Sequence, residues 1–191
     1  MPLVTGDDGR ARCAWGAGDE TYRAYHDTEW GRPVTDERGL YEKLCLECLQ
    51  SGLSWALILR KRDGIRDALA RFEPDAVARF GAADIERLLA DARVIRNRQK
   101  LEAIVRNAKA TVALRETTPL PELVWSFRES GDAKSLAREL KGHGFAFVGP
   151  TTAYSTMQAV GLVNDHEPGC WVRGDVEREQ RSVQDFSPRP S

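Results

Sequence analysis

The sequence predicts an all-α protein, and three observations carry that expectation. Apolar residues recur at helical spacing through most of the chain, and many of these runs open on a capping residue or a proline. Few segments alternate with period two over more than four residues, so little of the chain reads as strand. The 191 residues are 41% hydrophobic and 30% charged, which suits one domain with a real core, alone or with a small satellite.

The elements follow in order. Residues 1–11 are small, polar and glycine-containing, and are expected to be mobile. In TDERGLYEKLCLECLQSG, Asp36 is placed as an N-cap, and Leu40, Tyr41, Leu44, Cys45, Cys48 and Leu49 form one apolar face. Gly52 ends that helix and Ser54 caps the next, WALILRKRDGIRDAL. Pro74 stands where a first helical residue belongs. Asp84 is read as opening IERLLADARVI. Gln99 to about Glu116 reads as a long amphipathic helix. Pro121 and Ser135 open two further helices, and Thr151 or Thr152 opens AYSTMQAVG. Residues 174–191 are charged, end in Pro and Ser, and are expected to form a disordered tail beyond a domain of residues 12–173.

No apolar run approaches a membrane span, and MPLVTGDDGRAR lacks the apolar segment of a signal peptide. A cytoplasmic protein is expected, so the thiols read as metal ligands or core residues rather than disulfides. The net charge of −1 names no partner. A nucleic-acid surface would have to be a local basic patch, such as Arg60-Lys61-Arg62 or the run Arg93, Arg96, Arg98 and Lys100.

Metal-type residues are split between the two ends. The chain has three histidines and four cysteines. Cys13 and His26 stand near the start, His166 and Cys170 near the end. A Cys₂His₂ set is a usual closed shell for structural zinc, and here it would clasp segments about 150 residues apart. The plainer reading is a buried thiol and a satisfied core histidine. Cys45 and Cys48 form a Cys-x-x-Cys pair, but both fall on an apolar helix face with no βαβ pattern nearby, and read as inert core thiols.

The first 55 residues hold Trp15, Tyr22, Tyr25, Trp30, Tyr41 and Trp55, while all six Phe lie at position 72 or later. Rings with a polar edge suit a pocket, and a flat base needs partners on both faces. Glu47 falls on the margin of an apolar helix face. It is either a desolvated acceptor beside those rings or the surface partner of Lys43, one turn earlier. In GFAFVGPTTAYSTMQAVG a glycine turn opens a helix whose free N–H groups can grip a phosphate.

The segments AYHDTEWGRPVTDERGLYEKLCLE, SGLSWALILRKR, VIRNRQK and GFAFVGPTTAYSTMQAVGLVNDH, with the trailing Cys170, resemble 3-methyladenine DNA glycosylase I, in that family's order and from about Arg12 to Val172. The resemblance implies a helix-hairpin-helix glycosylase fold with one structural zinc joining the N- and C-terminal segments through Cys13, His26, His166 and Cys170. It implies a base-contacting catalytic carboxylate at Glu47, and base-binding rings at Trp15, Tyr22, Tyr25, Trp30 and Trp55. It implies a DNA-backbone grip at Val148, Gly149, Thr151 and Thr152. Positions 48 and 49, usually small and then Gln in the family, are Cys48 and Leu49 here, and the tail is longer.

The implied activity is excision of N3-methyladenine from alkylated duplex DNA by a monomer, leaving an abasic site and releasing free 3-methyladenine. Asp165 stands near the place where related glycosylases carry a catalytic Asp. Two other classes stay open: a zinc-stabilised nucleic-acid-binding module without catalysis, and a zinc hydrolase with Glu47 as general base.

Overall fold

Side-chain caps open half of the α-helices in the computed structural model, which describes residues 2–183. Two short strands, β1 (Leu3–Thr5) and β2 (Ala11–Cys13), pair antiparallel and precede the helices. Among the described residues the helices are α1 (Glu20–Thr28), α2 (Glu37–Gln50), α3 (Trp55–Ala68), α4 (Pro74–Val77), α5 (Ala82–Ala90), α6 (Arg98–Leu114), α7 (Leu120–Trp125), α8 (Ala133–Gly142), α9 (Pro150–Ala159) and α10 (Arg173–Ser182). Asp36 caps α2 by accepting from Gly39 N at 2.8 Å, and Ser54 caps α3. Pro74 is the first residue of α4, as expected from its fixed φ.

Other starts lie slightly upstream of their sequence expectation. Asp84 is the third residue of α5 and bonds back to Gly81 N at 3.0 Å, so it closes a capping turn instead of beginning one. Asp132 caps α8 through Lys134 N and Ser135 N. Helix α1, capped by Asp19, was not visible as a helix in the apolar pattern, because its inner face is Tyr25 and His26 rather than aliphatic.

Helix α2 is the centre of the core. From Leu44 to Leu49 every residue is buried, including Leu46 and Glu47 off the expected stripe. It packs against α3, α6, α7 and α9, and Tyr41 Oη donates to Ile104 O at 2.9 Å. Helices α8 and α9 pack on each other as a hairpin. Asn107 of α6 holds the connecting loop with both ends of its amide, donating to Ala146 O at 3.2 Å and accepting from Ala146 N at 2.7 Å.

Both ends carry regular structure among the described residues. Near the start β1 pairs with β2, and the Arg12 side chain is buried between Asp8 and Asp27. Ion pairing of this kind leaves no mark on composition. Residues 173–182 are helical despite their charge, because Val176 is fully buried and Glu179 pairs with Arg32. Arg128 also donates to Val183 O at 3.0 Å. The rest of the predicted tail, 184–191, lies outside the described residues. Among those described, no helix is long and apolar enough to cross a membrane.

Gly161 closes α9 at φ +76°, and a Cβ there would sit 2.6 Å from the carbonyl carbon of Arg32 and 2.7 Å from Gly31 O. Both the backbone conformation and the close approach require glycine. Gly161→Ala is expected to destabilise the fold by about 1–3 kcal/mol or more in denaturant unfolding. An unchanged midpoint would show that these two segments separate freely.

Candidate metal centre and aromatic pocket

Three elements deliver four buried donors to one point. Cys13 ends β2, His26 lies in the last turn of α1, and His166 and Cys170 lie in the loop before α10. Their ligand atoms all lie within 4.8 Å of one another. Cys170 Sγ is 3.5 Å from His26 Nε2 and 3.6 Å from His166 Nδ1, and Cys13 Sγ is 3.8 Å from His166 Nδ1. An ion bound tetrahedrally through M–S and M–N bonds of about 2.3 and 2.0 Å would hold S and N about 3.6 Å apart. The four residues therefore could hold a metal ion.

The ring nitrogens facing away are engaged. His26 Nδ1 lies 2.8 Å from Asp27 Oδ1, and His166 Nε2 lies 3.1 Å from Trp30 O. Each contact fixes the tautomer that leaves the inward nitrogen as an acceptor. Burial pushes the His166 pKa down to about 4 and lowers that of His26, so both rings are neutral. Asp27 is itself held by Arg12 Nε and Nη2, at 3.0 and 2.8 Å, and by Trp171 Nε1 at 3.2 Å. Gly16 leaves room for the His26 ring, since a Cβ there would fall 2.3 Å from it.

The pocket shares a wall with this cluster. A cavity of roughly 650 Å³ is lined by Trp15, Tyr22, Tyr25, Trp30, Glu47 and Trp55 and reaches Cys13 and His166, whereas Tyr41, the sixth ring of the N-terminal group, is buried in the core. Trp15 meets Trp30 edge-on at 4.8 Å, Tyr25 tilts against Trp55 at 5.3 Å, and Trp30 meets the His166 ring at 4.7 Å. Tyr22 Oη accepts from Ala56 N at 3.1 Å, which ties α1 to the start of α3.

Glu47 is 8% exposed, and burial pushes its pKa up to about 7, with the charge of Lys43 opposing. The surface pairing with Lys43 does not occur. Lys43 Nζ donates to Glu29 at 3.2 Å, and Arg62 joins the same carboxylate at 2.7 Å. Among the described residues, Tyr25 Oη and Trp55 Nε1 are buried without a partner. Buried polar groups are ordinarily satisfied. A carboxylate and two unpartnered donors in one ring-lined cavity are therefore equipped to bind a flat polar molecule.

The backbone-grip residues lie outside this cavity. Val148 is fully buried in the core, so its side chain is excluded from any surface contact and only its peptide group can serve. Gly149 is the N-cap of α9, Thr151 is exposed and Thr152 half-buried. Helix α9 links the two regions, because its Ser155 and Gln158 line the cavity while the residues of its first turn do not. Asp165, on the cavity rim, accepts from Tyr154 Oη at 2.6 Å and Gln158 Nε2 at 2.7 Å. Sequence reasoning missed Gln50, Ser155, Asn164 and Arg173 as cavity residues; nothing in their local spacing marks them. Cys45 and Cys48 are buried free thiols, and burial pushes Cys48 up to about 12.

Fold and site together have the make-up of a helical glycosylase, with a ring-lined cavity that includes a buried carboxylate. A family model described as methyladenine glycosylase matches residues 15–134 and 129–173. The chain belongs to that family. DNA-3-methyladenine glycosylase 1 of Escherichia coli (strain K12) is 42% identical over 177 residues, covering 83% of this chain and 95% of that protein. A crystal structure of 3-methyladenine DNA glycosylase I superposes with a TM-score of 0.81 at 42% identity, covering 84% and 98% of the two chains. A variant of 3-methyladenine DNA glycosylase I in complex with 3-methyladenine superposes at 0.80 with 33% identity, covering 85% and 97%.

The raised Glu47 pKa has a sign that can be tested. The folded state favours the protonated form, so stability present below the unfolded value of 4.5 is lost as pH rises toward about 7. Glu47→Gln does not titrate. Its stability relative to wild type is expected to climb across that window and level off at roughly 3 kcal/mol. Parallel pH–stability curves for the two proteins would show that the carboxylate is not desolvated.

Proposed function

We propose that this chain flips N3-methyladenine out of alkylated duplex DNA and hydrolyses its N-glycosidic bond, releasing the free base and leaving an abasic site. The observation that carries the reading is the buried Glu47 carboxylate facing a ring-lined cavity whose Tyr25 Oη and Trp55 Nε1 lack partners. Extruding a nucleotide costs a few kcal/mol, less for a damaged base. Methylation makes the base cationic, so its bond to the sugar is already weak and strong acid catalysis is unnecessary.

Glu47 faces the positive charge, accepts from the base edge and thereby favours the lesion over neutral adenine. Stacking between Trp55 and the tyrosines holds the ring. The glycosidic electron pair leaves with the base, a water oxygen bonds to the sugar carbon, and its proton goes to solvent. No lysine lines the cavity, so strand cleavage through an amine adduct is not part of the reading. The peptide N–H groups at the start of α9, from Gly149 to Thr152, grip a DNA phosphate without reading sequence.

The metal in this reading is one structural zinc. The donor set is two thiols and two neutral imidazoles, with no carboxylate and no open fourth place, which supports a closed site over a hydrolytic one. When bound, zinc would convert the thiols to thiolates and join the two ends of the chain. A binding module without catalysis would leave the ring-lined cavity and its desolvated carboxylate unexplained.

The direct test is single-turnover release of 3-methyladenine from methylated duplex DNA, with titration of the free base alongside. Glu47→Gln is expected to slow excision and weaken base binding while leaving affinity for unmodified duplex unchanged. Trp55→Ala should cost about 1–3 kcal/mol in base binding. If both variants bind the base as tightly as wild type, the pocket assignment is wrong.

The metal reading is checked separately by chelator competition and metal analysis. Cys170→Ala is expected to lose zinc and stability together. Asp27→Asn, which keeps the shape but removes the charge behind His26, should lower zinc affinity about 10–100-fold. A fully stable wild-type protein without bound metal would overturn it.

A further inference from the structure

Lys100 belongs by sequence to a basic run that suggests a DNA-facing surface, yet it is only 7% exposed. It lies in the first turn of α6, and its Nζ donates to Leu49 O at 2.7 Å and to Ser51 O at 2.5 Å. These carbonyls belong to the last turn of α2 and its C-cap, where no N–H donor remains within the helix. A cation at a helix C-terminus also meets the negative end of the helix dipole. Burial lowers the Lys100 pKa, so the ammonium is desolvated as well as engaged.

The position of this contact in the chain gives it a meaning beyond capping. Glu47 is two residues before Leu49, and Trp55 is four residues after Ser51. The intervening turn is tight and braced across itself. Gln50 Nε2 donates to Leu53 O at 2.9 Å, Leu53 N donates to Gln50 O at 2.6 Å, and Gly52 takes φ +75°. A turn this stiff moves as a unit, and Lys100 fastens that unit to α6.

We propose that Lys100 is a positioning residue for base excision, setting the placement of Glu47 relative to Trp55 across the bound base. The inference rests on the function proposed above. Lys100 does not touch the base or a phosphate. It acts through the α2–α3 turn, and its loss lets the two pocket residues drift apart while the rest of the fold persists.

The test uses the full-length protein and Lys100→Met, which keeps the apolar stem and removes the charge and donors. Circular dichroism first fixes a temperature at which both are folded. Free 3-methyladenine is then titrated, and single-turnover excision and unmodified-duplex affinity are measured. Lys100→Met is expected to lower base affinity and excision about tenfold to a hundredfold, the scale of an ångström misplacement, with duplex affinity unchanged. Combined with Trp55→Ala, it should add little to the loss that Trp55→Ala causes alone, because both act through the same contact. A merely stabilising cap would instead leave base affinity at the wild-type value.

Wild-type base affinity in folded Lys100→Met, full additivity with Trp55→Ala, or a selective loss of duplex affinity would each overturn the proposal. If Lys100→Met does not fold, Lys100→Gln, which retains a donor for one carbonyl, takes its place with the same expected direction. Glu47→Gln is the control. If it too binds the base like wild type, the function reading fails; if it loses the base while Lys100→Met does not, only the role of Lys100 fails.

Discussion

Burying the Glu47 carboxylate is the constraint around which the site is organised. An acid in the last turns of α2 is desolvated and, among the described residues, has no hydrogen-bond donor from the protein to offset the loss of water. Lys43, one turn away, is the obvious counter-ion, but Glu29 captures it together with Arg62. That diversion keeps a positive charge close enough to be felt while leaving the carboxylate oxygens free. The cost of holding such a group is met by the rest of α2, which is buried from Leu44 to Leu49 and packed against four other helices.

The Cys/His cluster is the second wall of the same cavity rather than a remote staple. Trp30 accepts from His166 Nε2 with its carbonyl and presents its ring to the cavity, and Trp15 lies edge-on to both Trp30 and His26. The order of the cluster and the order of the pocket are therefore coupled through two tryptophans. Outside it, Arg12 joins Asp8 of the leader to Asp27 behind His26, and Arg10 lies over the Trp171 ring at 4.0 Å. The β1–β2 hairpin precedes the residues matched by the family model, and through Arg12 it adds a polar brace to the cluster.

Helix α9 carries the third relation. Its N-terminus follows the loop that Asn107 holds to α6, its middle lines the cavity, and its end turns at Gly161 against Gly31 and Arg32. The turn proposed to grip the DNA backbone and the cavity proposed to take the base are thus related by one helix. Asp165 is braced from the same helix by Tyr154 and Gln158.

Much of this was determined by sequence alone. Local rules are short-range, so Asp36, Ser54 and Pro74 announce the helices they open. Residue chemistry put Cys13, His26, His166 and Cys170 forward as a ligand set, and the family resemblance selected it over a buried thiol and a core histidine; Cys45 and Cys48 read as core thiols, and both are buried. The uneven placement of Trp and Tyr pointed to the N-terminal rings, five of which line the cavity while Tyr41 packs in the core. Only the tertiary structure decided which partner each charged residue takes, because those partners are distant in the chain. It turned Lys100 from a surface cation into a clamp on α2, buried Arg12 between two acids, and gave Lys43 to Glu29 instead of Glu47. It also ordered residues 173–182, whose charged composition hid one buried valine and a set of contacts to residues about 150 positions earlier. Local pattern reports which face of an element is apolar; what meets its polar side chains is set by packing across the whole fold.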